Sequence, residues 1–130
     1  MSRSWMWLLV PVACAGLAQE PPRVEEPPEE DETIAAREYS FNPLQAAKEL
    51  KVGNFYFKKG NYRAAALRFE EAAKWDSGFA DAYQRWGEAL EKQDDAKGAV
   101  AAYRKYLAVA PDARNAGEIR KRIEKLTPRK

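Results

Sequence analysis

Histidine is absent from all 130 residues, and cysteine occurs once, as Cys14. Without histidine there is no imidazole for acid–base work, no Cys–His nucleophilic pair and no common zinc ligand set. Glycine is sparse and scattered: Gly53, Gly60, Gly78, Gly87 and Gly98 never gather into a loop that cradles phosphate. The chain is therefore expected to be no enzyme, with neither a cofactor nor a metal. A long hydrophobic run is also missing. The apolar stretch near the N-terminus is broken by Pro11 and falls short of the about 20 residues that span a bilayer.

A strong overall charge is lacking too, since the net value is +2. Its distribution is uneven. Residues 20–38 carry eight acidic groups against Arg23 and Arg37, whereas everything after Leu44 is net basic. Such asymmetry fits either a polyanionic partner or a solvated helical surface beside an acidic linker. The second reading is the simpler one.

What the sequence does contain is a pattern that occurs twice, 34 residues apart, between Ala46 and Asp112. Gly53, Tyr56, Gly60, Tyr62, Ala65, Phe69 and Ala72 map by that offset onto Gly87, Leu90, Asp94, Ala96, Ala99, Tyr103 and Tyr106. Each copy reads as two helical spans with a turn between them. Glycine inside a helix costs about 1 kcal/mol against alanine. Gly53 and Gly87 are thus expected where a neighbouring helix passes too close for a Cβ. Ala65 and Ala99 are the expected contacts, with Phe69 and Tyr103 filling the space one turn on.

This period and residue order resemble the tetratricopeptide repeat. The resemblance implies an all-α fold: two tandem helix-turn-helix repeats over 46–79 and 80–113, then a capping helix over 113–126. Helices are expected over 44–58, 62–75, 79–92 and 96–110. Asn42-Pro43 marks the first start, and Pro111 stops the fourth. In the last helix, Ala116, Ile119, Ile123 and Leu126 form an apolar stripe, with Asp112 as its expected cap. Its basic residues lack aromatic interleaving, and one apolar plus one soluble face suits the end of an array. Capping is therefore preferred over nucleic-acid or membrane binding.

Residues 1–18 read as an export leader: Arg3, a short apolar run, then small residues. Two processing outcomes fit. Gly16-Leu17-Ala18 precedes a site for ordinary cleavage, and Val12-Ala13-Cys14 resembles the end of a bacterial lipoprotein box with Cys14 lipidated. An uncleaved apolar helix is the third reading. Residues 19–41 form an acidic, Pro/Glu-rich arm. Pro21-Pro22 and Pro27-Pro28 among glutamates favour an extended, disordered linker through residue 32. Tyr39 and Phe41 are apolar enough to lie against the first repeat. Two repeats are few for independent stability, so these residues or self-association are expected to cover the open end. Phe55 is expected to pack on the arm or on another subunit. Residues 127–130 are a short tail.

The family's inner groove, carried over by position, comprises Leu50, Asn54, Phe57 and Lys58 from the first repeat and Gln84, Arg85, Glu88 and Glu91 from the second. Asn54 matches an asparagine that bonds ligand backbone in some members. Members that clamp a C-terminal carboxylate have lysine where this chain has Leu50. Tyr83, Trp86, Phe69 and Tyr103 are expected in the core. The stretch Phe55-Tyr56-Phe57-Lys58-Lys59-Gly60-Asn61-Tyr62, with Ala64-Ala65 and Phe69-Glu70-Glu71, resembles repeats of the BamD-type lipoproteins of outer-membrane β-barrel assembly. The resemblance implies a protein-interaction scaffold in the bacterial envelope, exported to the periplasm or held on a membrane facing it. Its partner would be a peptide or protein, not nucleic acid. An oligomerising envelope tether without a working groove is the alternative.

Overall fold

A computed structural model describes residues 39–129. The expected leader, Cys14 and the acidic stretch before Tyr39 lie outside the described residues. Among the described residues there are five helices and no strand: α1 (Pro43–Lys58), α2 (Tyr62–Trp75), α3 (Ala80–Lys92), α4 (Ala96–Val109) and α5 (Ala116–Leu126). Each packs against the next in chain order. None is long and apolar enough to cross a membrane.

The 34-residue offset is visible in how the helices stop and start. The α1 end is closed by Asn61 N–H donating to the Tyr56 carbonyl and Gly60 N–H to that of Phe57, both at 3.0 Å. Asp95 to Leu90 (3.0 Å) and Asp94 to Glu91 (2.9 Å) repeat this at the end of α3. Such a closure requires one left-handed residue. Gly60 supplies it with φ 79°, and Asp94 with φ 59°. The following residue caps the next helix: Asn61 Oδ1 accepts from Ala64 N–H at 3.2 Å, and Asp95 Oδ1 from Gly98 N–H at 2.9 Å. Pro43 opens α1 behind the Asn42 cap, whose Oδ1 accepts from Gln45 N–H at 3.0 Å.

Two glycines let the helices close. A Cβ on Gly53 would stand 2.5 Å from the Phe69 ring, and one on Gly87 2.5 Å from the Tyr103 ring. The sequence points to Ala65 and Ala99 as the contacts, with Phe69 and Tyr103 filling the space beside them. The ring one turn further on is what fills the space, because Ala65 and Ala99 are small enough to let it lie in the seam. Phe69 and Tyr103 are fully buried, one in each of two apolar clusters. Tyr83 is also buried, while Trp86 is half-buried.

α5 begins three residues later than the sequence indicates. Residues 113–115 form a turn, with Ala116 N–H donating to the Ala113 carbonyl at 3.0 Å. Asn115, not Asp112, holds the cap position. Its Oδ1 is taken by the Tyr106 hydroxyl, which leaves the first turn without a side-chain cap. The expected stripe holds: Ala116 and Ile119 are buried, and Ile123 and Leu126 half-buried.

At the other end, the Tyr39 ring stands edge-on to Trp75, 5.0 Å between centroids. Its hydroxyl donates to Glu71 at 2.6 Å, and Asn42 N–H reaches the Trp75 carbonyl at 2.9 Å. The arm is thus pinned to the C-terminal end of α2. Phe41, expected to pack there as well, is 78% exposed.

Candidate functional site

Five of the eight expected groove positions come together between α1 and α3. Arg85 Nε donates to Asn54 Oδ1 at 2.9 Å, joining the two helices. The guanidinium lies 4.4 Å from the Phe57 ring centroid and 5.5 Å from that of Phe69. Arginine over an aromatic face gains about 0.5–1 kcal/mol at exposed sites and more when water is excluded. Arg85 also pairs with Glu88 one turn along, and Glu88 accepts from Gln84 Nε2 at 3.2 Å. The side chains of Arg85 and Glu88 are 29% and 20% exposed, so solvent still reaches the cluster. The Asn54 side-chain oxygen is already occupied by Arg85. A ligand backbone would therefore meet the Asn54 amide N–H groups or displace the guanidinium.

The remaining three are placed differently. Leu50 is half-buried and packs on both apolar clusters. Lys58 is exposed on α1. Glu91 belongs to a second cluster, toward α5. It accepts from the Tyr103 hydroxyl at 2.6 Å and lies 3.9 Å from Arg122, which also pairs with Glu118 at 3.2 Å. Arg122 Nη1 donates to the Tyr103 oxygen at 3.3 Å. Burial of the phenol, aided by its bond to Glu91, pushes Tyr103 well above the ordinary tyrosine range. The bond to Tyr103 in turn raises Arg122.

The two clusters are counterparts by the 34-residue offset. Phe57 and Phe69 map onto Glu91 and Tyr103. The first junction is a cation held on aromatic faces; the second is a carboxylate, a phenol and a cation in a hydrogen-bonded set.

Two features escaped the sequence reading. Glu49 is buried (6% exposed), where Arg68 pairs with it at 3.2 Å and Gln45 Nε2 donates to it at 3.0 Å. Its spacing from Ala46 and Gly53 was the available signal, since it puts a charge on the buried stripe of α1. The second is an open depression of about 350 Å³ between α2 and α4, floored by α3. Leu67, Trp86 and Leu90 supply apolar lining, with Arg63, Glu70 and Lys105 around them. Trp86, expected in the core, thus has one face here, with the Lys105 ammonium 5.3 Å from a ring centroid.

No group of three or more potential metal ligands is gathered among the described residues. No family model and no curated protein matches the chain.

Proposed function

We propose that the chain is a non-catalytic adaptor of the tetratricopeptide-repeat kind, acting in the bacterial cell envelope. α1–α2 and α3–α4 are the two repeats, and α5 is the capping helix. The groove lined by α1 and α3 takes a peptide or a partner subunit. The observation that carries this reading is the Asn54–Arg85–Phe57–Glu88–Gln84 cluster. It sets amide, guanidinium and carboxylate groups in a row across two helices, on an aromatic floor and within reach of solvent. Those groups suit the carbonyls, amides and charges of an extended chain. The leader at residues 1–18 supports the envelope, and the likeness of the 55–71 stretch to outer-membrane assembly lipoproteins favours that process.

The test is capture of partners by the Asn54→Ala/Gln84→Ala double variant. Capture is expected to disappear while helix content stays unchanged. Undiminished capture would remove the groove from the account.

A second reading, an oligomerising tether, draws on Phe41 and Leu44, which are 78% and 77% exposed at the open end of α1. It requires a mass that rises with concentration in sedimentation. A strict monomer at high concentration excludes it.

A further inference from the structure

The outward face of α1 sets lysines beside apolar side chains on one line. Leu44, Lys48, Lys51, Phe55 and Lys59 follow at spacings of four, three, four and four, which places them on one side of the helix and its cap. Lys58 flanks them. The four lysines are exposed, and among the described residues none has a carboxylate within 4 Å. The helix has a single acid, Glu49, on the opposite side and paired with Arg68. Lys74, Arg85 and Arg122 have acidic partners, whereas Lys92, Lys97, Lys105, Lys121 and Lys125 resemble the α1 lysines in having none within 4 Å among the described residues. The α1 face is therefore a cationic strip with apolar Leu44 and Phe55 set into it, and no helix among the described residues covers it.

We propose that this strip is the seat of the chain's own acidic segment, residues 20–38, which lies back along α1 in cis. Three observations support that occupant over others. The first is charge: eight acids against Arg23 and Arg37 complement four unneutralised lysines. The second is reach. The contacts of Tyr39 with Trp75 and Glu71 fix the segment's end beside the start of α1. Residues 29–32, four consecutive acids, lie seven to ten positions before Tyr39. At about 3 Å per residue in extended form, that is roughly 20–30 Å of chain. The strip from Leu44 to Lys59 is about 22 Å long at 1.5 Å per residue. The third is that two copies meeting through this face would bring lysine against lysine. Paired prolines favour the extended backbone such a seat needs. The docked segment neutralises the strip and shields the apolar side chains at the open end. It also shortens the reach of the arm as a spacer. The proposal does not rest on the groove assignment and holds for either way of processing the leader.

The test is zero-length carbodiimide coupling of the purified full chain, which joins carboxylates to lysine amines already in contact, followed by peptide mapping. A mixture of ¹⁴N- and ¹⁵N-labelled protein separates coupling within one chain from coupling between chains. Coupling of residues 20–38 to Lys48, Lys51, Lys58 and Lys59 is expected to exceed that to the exposed Lys121 and Lys125 by about tenfold, because docking holds the carboxylates against the α1 amines, whereas a flexible tether alone supplies only about millimolar local concentration. It should fall away in about 1 M salt, where charges are screened within roughly 3 Å. It should also fall at Lys58 and Lys59 in the Lys48→Glu/Lys51→Glu variant, whose changes are at exposed positions and whose fold is checked by circular dichroism. Equal coupling to Lys121 and Lys125, or none to α1, overturns the proposal. Mixed-isotope products would show that the strip receives another chain's segment, which also overturns it.

Discussion

The Phe69 ring occupies the space that a side chain on Gly53 would need, with Cε1 2.5 Å from the Cβ position. One junction later, Tyr103 stands in the same relation to Gly87, again at 2.5 Å. Each pair joins the first helix of a hairpin to the second. The glycine is thus selected by the ring, against its own helix propensity.

Substitution at these glycines should therefore destabilise despite the better helix former. Gly53→Ala and Gly87→Ala are each expected to cost about 1–3 kcal/mol through overpacking, read as a lower urea midpoint. Gly53→Ala combined with Phe69→Leu should lose less than the sum of the single changes, because the obstruction is shared. A methyl group added at Gly117, on α5, would meet nothing within 4 Å. Gly117→Ala should be neutral or stabilising by up to about 1 kcal/mol. Additive losses at 53 and 69 would contradict the assigned contact.

Asp94 holds the left-handed position that Gly60 holds in the first hairpin. An aspartate tolerates that backbone at a cost of about 1 kcal/mol, and glycine does not incur it. Asp94→Gly is expected to raise the melting temperature, and Gly60→Ala to lower it. An Asp94→Gly variant less stable than the parent would mean that the carboxylate has a stabilising role outweighing the strain.

The Tyr103–Glu91–Arg122 set makes a prediction at alkaline pH. Tyr103 is raised in the fold by burial and by its bond to Glu91. A group whose folded pKa is raised contributes stability that is complete below its unfolded value, about 10 for tyrosine, and is lost as pH climbs above it. The parent should thus lose stability more steeply above pH 10 than Tyr103→Phe. Near neutrality Tyr103→Phe should cost about 1–2 kcal/mol for the lost hydrogen bond. Parallel stability curves for the two proteins above pH 10 would contradict this assignment.

Much of the helical arrangement was legible because the 34-residue offset compares the chain with itself. Gly60 with Asp94 and Asn61 with Asp95 perform the same local jobs, so the turn and cap sites of the two hairpins coincide under the offset. The start of α5 was not legible. Asn115 is committed to the Tyr106 hydroxyl, a tertiary contact that no local signal encodes. The Asn54–Arg85 bond and the Arg85–Phe57 stack were likewise hidden, because they join positions about thirty residues apart. The depression over Trp86 depends on the angle between α2 and α4, which periodicity does not fix.

The adaptor reading is tested most directly by photo-crosslinking in the cell from position 84, with the exposed Ala108 on α4 as the control. Gln84 belongs to the Arg85–Glu88 cluster, so a ligand in the groove must pass within reach of it. Discrete crosslinks are expected from 84, absent from 108, to envelope proteins such as outer-membrane assembly components or their unfolded clients. Crosslinks indistinguishable between 84 and 108, or to cytosolic proteins, would contradict the adaptor reading.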